Sequence, residues 1–255
     1  MRPIDKIRQK VRFEMFNESS KLKVLEINTF FDKYIMHYED KIKKTFIYYD
    51  TPDEDLRKSN IVLFKTQIDN FTELTMSTEK VSTSVRYRLR TNEKTYKKAI
   101  KPHDNLLKHK EFLMNSFKDM FLSSLNFDPE FFLRKLKPVY TINTTSEEYR
   151  SLNVTGLKIT YSFDKDTYIN HNSKSEVKDN ILTIYQHSPE KTDEDFADLI
   201  SKLTRYCKEL TPTNETKIAI ARRKTSGTNQ KSVDKKELAK MKDKVVKDKK
   251  EKKKK

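Results

Sequence analysis

The chain has 255 residues and a net charge of +16, and hydrophobic residues make up 35% of it. Its 15 Phe and 12 Tyr still supply bulky apolar surface, so we expect a folded body with a polar appendage. A single cysteine excludes an internal disulfide framework, and the lack of a long apolar run excludes a membrane-spanning helix.

Short runs rich in β-branched and aromatic residues recur along the chain and predict eight or nine β-strands. Each run is bounded by Asn, Asp, Ser or Pro. In chain order they are VRFEMF, KTFIYYD, NIVLFKTQI, SVRYRLR, TYKKAIK, KPVYTINTT, LKITYSF, ILTIYQH and TKIAIARR.

Three longer segments have apolar residues at helical spacing and predict amphipathic helices over 25–41, 105–125 and 193–210. In the third, Cys207 falls on the apolar stripe, which predicts a small core residue. Strands interleaved with about three helices predict an α+β fold built on a mainly antiparallel sheet. With only two glycines the chain cannot form a glycine-rich phosphate loop, and no Cys or His spacing indicates a zinc site.

The segment VRYRLRT places Arg86, Arg88 and Arg90 on alternate positions. In a strand this period of two directs all three guanidinium groups to one face. Two interpretations remain open from the residues alone: a solvated outer face of a sheet, or a surface that binds a polyanion.

The last 32 residues, 224–255, carry fourteen lysines against five acids, with few apolar residues and no aromatic ones. Such a segment cannot bury enough surface to offset the entropy lost on ordering, so we predict a disordered Lys-rich tail after a domain over 1–223. The tail can associate with RNA or an anionic surface through charge, or serve only as a solubilising segment. The N-terminus lacks the apolar stretch of a signal peptide, so we expect a cytoplasmic protein.

The stretch FIYYDTPDEDLRKSNIVL, residues 46–63, resembles the CYTH family, also called triphosphate tunnel metalloenzymes. Downstream, VRYRLRTNEKTYKKAIKP is similar to the family's arginine strand, turn and lysine strand. The resemblance covers roughly residues 8–223 and implies an eight-stranded, tunnel-like β-barrel that holds a triphosphate. IVLFKTQ can also take the place of the arginine strand, which would put VRYRLR one strand later.

The resemblance also implies the site residues. Phosphates would be bound by six basic side chains: Arg86, Arg88, Arg90, Lys97, Lys101 and Lys217. Glu14 would be the catalytic residue and would hold Mg²⁺ or Mn²⁺ together with Asp164. The family's first strand reads Glu-x-Glu-x-Lys, whereas here Arg12 and Phe16 replace the first glutamate and the lysine. The late strand ILTIYQH carries no acid.

Three functions follow as hypotheses. The first is a tunnel that binds a triphosphate-containing small molecule or an RNA 5′ end, and that can hydrolyse it as a metal-dependent triphosphatase. The second is a non-catalytic polyanion- or RNA-binding module that has lost the metal-binding glutamates. The third is an unrelated basic nucleic-acid-binding protein that acts mainly through residues 224–255. A polyphosphate polymerase of the same superfamily is a related alternative.

Overall fold

A computed structural model describes residues 7, 9–15, 17–30, 35–80, 91–120, 129–152, 156–187 and 192–226. Nine strands lie within these ranges: β1 Gln9–Met15, β2 Ile35–Asp50, β3 Ile61–Ile68, β4 Phe71–Lys80, β5 Thr91–Ile100, β6 Lys137–Leu152, β7 Lys158–Asn170, β8 Ser175–Gln186 and β9 Thr211–Thr213. The same ranges contain six α-helices and a 3₁₀-helix at Leu106–His109. The α-helices are α1 Ser19–Phe30, α2 Asp55–Lys58, α3 Lys110–Met120, α4 Pro129–Lys135, α5 Asp193–Tyr206 and α6 Lys217–Thr225.

All the strands belong to one sheet with the order β5-β4-β3-β2-β6-β7-β8-β1-β9. Every ladder in it is antiparallel. Within the described ranges the sheet ends at β5 on one side and at β9 on the other, and no ladder joins these two edges. The predicted α+β class with a mainly antiparallel, tunnel-like sheet is confirmed, with nine strands in place of eight.

One face of the sheet, here called the helix face, buries two apolar clusters under helices. At the β1 end, Phe13, Phe163 and Leu182 pack against apolar side chains of α1 and α5. At the β3–β4 end, the core lies under α2, α3 and α4. Cys207 is buried in the first cluster, as its place on the apolar stripe predicts, and burial raises the pKa of its thiol.

The opposite face, here called the polar face, carries charged side chains and the short helix α6. Arg12 and Glu14 alternate with the buried residues of β1, so both project to this face. Ile218, Ile220 and Ala221 of α6 pack there against apolar side chains of the sheet, among them Tyr168 and Ile181. Helix α6 therefore covers part of the polar face and places its own basic residues beside the acids of the sheet.

The Asp-Thr-Pro-Asp stretch has an architectural role, because Asp50 binds backbone groups of the turn and helix that follow it. The Asp50 carboxylate accepts hydrogen bonds from the backbone N–H groups of Thr51, Leu56 and Arg57 at 2.8, 2.9 and 3.2 Å. The bonds from Leu56 and Arg57 satisfy free donors in the first turn of α2. The helix begins at Asp55, so Pro52 lies in the turn that precedes it.

Two element predictions are wrong, and strand β4 is missing from the predicted strands. Residues 35–41, predicted as the end of a helix, belong to β2, because pairing with β6 along the whole strand outweighs their helical apolar spacing. TKIAIARR is helix α6 rather than a strand, and the Thr216 side chain caps it by accepting a hydrogen bond from the Ala219 N–H at 3.3 Å. Strand β4 was not predicted, although Asp69 and Asn70 form a turn before it in which Asp69 has a φ of 50°.

Other predictions are confirmed or lie outside the described residues. Helix α5 matches the predicted segment and ends at Tyr206, and α3 lies within the predicted 105–125. The arginine strand at 84–90 and the tail at 227–255 lie outside the described ranges. In the part of the chain that is described, no helix is long and apolar enough to cross a membrane.

Candidate functional site

The polar face is formed by side chains at alternate positions of four neighbouring strands, β6, β7, β8 and β1. Asp164 and Asp166 of β7 lie opposite Ser146 and Thr144 of β6, so all four side chains share one face. On its other side, Asp164 lies opposite Ile181 of β8, which in turn lies opposite Glu14 of β1. Glu14 and Asp164 are therefore two strands apart, roughly 10 Å between their backbones at the usual strand spacing.

Lys217, the first residue of α6, inserts its ammonium group between the two aspartates. Its Nζ lies 2.9 Å from Asp164 Oδ2 and 2.8 Å from Asp166 Oδ1, and it donates a hydrogen bond to Thr144 Oγ1 at 3.1 Å. The ammonium also lies 5.7 Å from the centre of the Phe46 ring. A lysine predicted to bind phosphate is thus already paired with two carboxylates.

Hydroxyl groups of the sheet occupy the remaining oxygens of the two aspartates. Ser146 and Ser162 donate to Asp164 Oδ1 at 2.6 and 2.7 Å. Thr144 donates to Asp166 Oδ1 at 2.6 Å, and the Tyr168 hydroxyl donates to Asp166 Oδ2 at 3.1 Å. Each of the four carboxylate oxygens therefore has at least one partner within the protein.

The pKa shifts agree with an ionised cluster. Burial by itself would raise the pKa of Asp164, but the Lys217 charge and the Ser146 and Ser162 hydroxyls lower it below its usual range. Burial would likewise lower the pKa of Lys217, yet the charges of Asp164 and Asp166 raise it. Lys217 therefore stays protonated and Asp164 stays ionised at neutral pH.

Glu14, the predicted catalytic residue, lies in a separate ion-pair network. Its carboxylate contacts Arg223, and its Oε2 lies 3.1 Å from Lys224 Nζ. Lys224 also contacts Asp179 of β8, a residue that sequence analysis did not single out. Glu14 and Asp164 are thus neutralised by different basic residues.

Arg12 replaces an acid of the family pattern and is 6% exposed. Its Nη1 donates to the backbone carbonyl of Glu215 at 2.7 Å, whereas its Nε has no hydrogen-bond partner among the described residues. Thr183 lies directly opposite Arg12 on β8, and its buried hydroxyl also has no partner in the described part of the chain. Two neighbouring buried polar atoms on the polar face are thus left for a water molecule or a ligand oxygen.

The other predicted basic residues lie towards β5. Lys97 faces the polar side of β5, is 58% exposed, and contacts Glu73 at 2.9 Å. Lys101, just after β5, is exposed, and its backbone N–H donates to Asp104 Oδ2 at 3.2 Å. Lys44 was not predicted, but it lies on the polar face and contacts Glu148 at 2.9 Å. Arg86, Arg88 and Arg90 lie outside the described residues.

The residues present do not fit the divalent metal that the family resemblance implies. The two predicted ligands, Glu14 and Asp164, are not brought into one cluster, and basic side chains already hold both. Across the described ranges, no group of three or more His, Cys, Asp or Glu side chains could hold a metal ion. A metal at Asp164 would have to displace Lys217.

Sequence analysis did not single out Asp166, Asp179 or Glu148. With these residues, the polar face carries more acids than the sequences of β1 and of the ILTIYQH segment indicated. The alternation of Asp164 and Asp166 in SFDKDTY was an available signal, because two acids at a spacing of two in a strand share one face. Asp179 lies at the start of β8, before the ILTIYQH segment that had marked this strand.

Comparisons with known proteins identify the fold alone. No family model matches the chain, and no curated protein matches it. A solved structure of HpAC1 from Hippeastrum, a proposed adenylyl cyclase described with a dominant triphosphatase activity, is similar with a TM-score of 0.51 and 11% identity. The match covers 85% of this chain and 95% of that one. A Bacillus halodurans protein, named as a candidate adenylate cyclase, matches with a TM-score of 0.50 and 13% identity over 84% of this chain and 96% of its own.

Proposed function

We propose that this chain is a CYTH-like protein that binds a triphosphate or polyphosphate group on its polar face. The observation that carries the proposal is the set of cations on one face of a fold shared with HpAC1: Arg12, Lys44, Lys97 and Lys217. The predicted Arg86, Arg88, Arg90 and Lys101 complete the site in this proposal. Its ligand is a triphosphate-containing small molecule or an RNA 5′ end, and its location is cytoplasmic.

Two of these cations have donors that a phosphate oxygen can use. Lys97 is more than half exposed, so its ammonium can contact a phosphate as well as Glu73. Arg12 has a buried Nε–H that no described residue accepts from, and a charge-assisted hydrogen bond to a phosphate oxygen would satisfy this donor. Guanidinium groups suit phosphate because two parallel N–H donors match two phosphate oxygens.

A second candidate function, binding without hydrolysis, is favoured by one observation. Every oxygen of Asp164 and Asp166 is occupied by Lys217 or a hydroxyl group, and Glu14 is paired with Arg223 and Lys224. The acids that would hold Mg²⁺ or Mn²⁺ in a metal-dependent triphosphatase are therefore neutralised by the protein itself. We derive no hydrolytic step through a metal from this arrangement.

The experiment is calorimetric titration of the full chain with inorganic triphosphate in EDTA, with ATP and 5′-triphosphate RNA as further probes. The site variant is Lys97→Met, and the matched control is Lys98→Met. Lys98 is adjacent on β5 but lies over the Phe112 ring on the helix face, 5.8 Å from the ring centre. We expect Lys97→Met to weaken triphosphate binding about fivefold to tenfold, since it removes one partly exposed charge-assisted contact.

Phosphate release is then measured with Mg²⁺ and Mn²⁺. Turnover that Glu14→Gln abolishes would establish the triphosphatase, whereas tight binding without turnover would establish the binding module. Absence of binding to all three probes, with and without metal, would reject the proposed function. Equal weakening by Lys97→Met and Lys98→Met would show that general charge, rather than the polar face, determines affinity.

A further inference from the structure

We propose a second anion site, separate from the polar-face cluster, that binds the phosphate group of a small phosphorylated molecule. A cavity of about 510 Å³ lies between α2, the start of β3 and the C-terminal half of α6. Arg57, Arg222 and Arg223 line it, together with Asn60 and Tyr140. The proposal goes beyond triphosphate binding and does not depend on it.

Arg222 is the central residue of this site. It is half-buried, and no ion pair or side-chain hydrogen bond joins its guanidinium group to any residue in the described ranges. Burial lowers its pKa, and the nearby positive charge of Arg57 lowers it further. A half-buried guanidinium beside another cation is costly unless an anion compensates it.

The acids around the cavity are already engaged. Asp50, which lies within electrostatic range of Arg222, uses both carboxylate oxygens to hold the backbone N–H groups at the start of α2. Glu54 accepts a hydrogen bond from Arg57 at 2.7 Å. Arg57 pairs with Glu54, and Arg223 pairs with Glu14 and with Glu215, so among the lining arginines Arg222 is the one that no ion pair joins to the described residues.

The cavity is distinct from the Lys217 cluster. Arg222 lies five residues after Lys217 on α6, which corresponds to a rise of about 7.5 Å along the helix. Between them, the side chains of Ile218, Ile220 and Ala221 are buried in the apolar cluster of the polar face. An anion at Arg222 is therefore bound by donors other than those that hold Asp164 and Asp166.

The lining defines the chemical class of the ligand. Guanidinium forks favour phosphate, because two parallel N–H donors match two of its oxygens. The cavity volume falls within the roughly 300–1,000 Å³ typical of small-molecule sites, so it has room for more than inorganic phosphate. The Tyr140 ring offers an apolar surface and Asn60 offers an amide, so the ligand is a phosphate monoester with an organic part, such as a nucleoside monophosphate.

The test follows the arginine side-chain Nε–H signals of the full chain by NMR, with inorganic phosphate and AMP as probes. The Arg222 signal is assigned as the one lost in Arg222→Lys, which keeps the charge but removes the fork. We expect this signal to shift saturably with both probes, and AMP to bind about tenfold more tightly, equivalent to about 1.4 kcal/mol. Lys97→Met is the control and should leave the titration unchanged.

Three outcomes would overturn the proposal. The first is an Arg222 signal that does not move with either probe. The second is a phosphate response of the remaining arginine signals that Lys97→Met abolishes and Arg222→Lys retains, which would place the anion near Lys97. The third is equal affinity for AMP and inorganic phosphate, which would reject the organic part of the ligand. A saturable Arg222 shift in the wild type, together with a weakened response of the Arg57 and Arg223 signals in Arg222→Met, would support the site, and Arg222→Lys provides the same comparison if Arg222→Met fails to fold.

Discussion

Lys217 illustrates how one buried side chain decides what a site can bind. It is enclosed with Asp164 and Asp166, and hydroxyl groups complete the shell around the carboxylates. Such a triad gains little stability over an apolar replacement, but removal of one partner leaves an uncompensated charge. The Lys217 ammonium lies between the two carboxylates. A divalent cation bound by both of them would need the same position.

At the residue scale, we predict that Lys217→Met lowers the free energy of unfolding by roughly 3–5 kcal/mol, because it removes the cation paired with two buried carboxyl groups. Chemical denaturation at pH 7 measures this loss. Mn²⁺ should raise the melting temperature of Lys217→Met and leave that of the wild type unchanged, since only in the variant do Asp164 and Asp166 lack a paired cation.

The matched control is the triple variant Asp164→Asn, Asp166→Asn and Lys217→Met, which removes all three charges. It should regain most of the lost stability and should not respond to Mn²⁺. A wild-type protein stabilised by Mn²⁺ would contradict the assignment, because it would show that the carboxylates accept a metal while Lys217 is present.

At the scale of elements, helix α1 is attached to the helix face of the sheet by an ion pair. Lys21 of α1 contacts Glu147 of β6, and its ammonium lies 5.2 Å from the Tyr149 ring and 5.5 Å from the Phe163 ring. The hydrogen bond from Lys21 is the largest cause that lowers the pKa of Glu147. An acid with a lowered folded-state pKa stabilises the fold above its unfolded pKa and loses that contribution as the pH falls.

We therefore predict that Glu147→Gln lowers the free energy of unfolding by about 1 kcal/mol at pH 7, the upper range for a partly exposed pair. The difference between wild type and variant should shrink as the pH falls below about 4.5 towards the folded pKa of Glu147, because the wild-type carboxyl then becomes neutral as well. Urea denaturation across this pH range measures the difference.

Glu26→Gln provides the control on the same helix, because Glu26 is exposed and no ion pair joins it to the described residues. It should change the stability little at any pH. A Glu147→Gln effect that persists undiminished at pH 3 would contradict an ionic origin and would point to packing instead.

At the scale of the whole molecule, the positive charge is divided between the folded part and the C-terminal residues. Helix α6 runs to Thr225, and Lys224 is held by Glu14 and Asp179, so a truncated chain should end at Ser226 rather than at Arg223. Residues 227–255 contain thirteen lysines and five acids. Charges separated from a site by more than about 8 Å are largely screened at physiological ionic strength.

We predict that removal of residues 227–255 changes the dissociation constant for inorganic triphosphate by less than about twofold in 0.15 M salt. The same truncation should reduce RNA affinity and flatten its dependence on salt, because fewer lysines contact phosphates. Calorimetry and filter binding at several salt concentrations measure the two effects.

A chain that ends at Thr216 is the contrasting control, since it lacks Ile218, Ile220 and Ala221 of the buried cluster. It should lose cooperative unfolding. Loss of triphosphate binding in the chain that ends at Ser226 would contradict a polar-face site and would favour the basic nucleic-acid-binding protein.

The sequence by itself determined the α+β class, most of the strands and helix α5, because alternation and helical spacing of apolar residues are local patterns. It also predicted Cys207 as a core residue. It did not determine α6, since Ile218 and Ile220 alternate as in a strand and only their packing on the sheet favours a helix.

Only the tertiary structure decided the pairing of charges. Lys217 lies 51 residues from Asp166 along the chain, and Arg223 lies 209 residues from Glu14. No local pattern encodes such contacts, because they depend on which strands are neighbours and on where α6 lies on the sheet. The sequence thus predicted which residues carry charge. The fold decided that Lys217 pairs with Asp164, that Arg223 and Lys224 pair with Glu14, and that no ion pair joins Arg222 to the described residues.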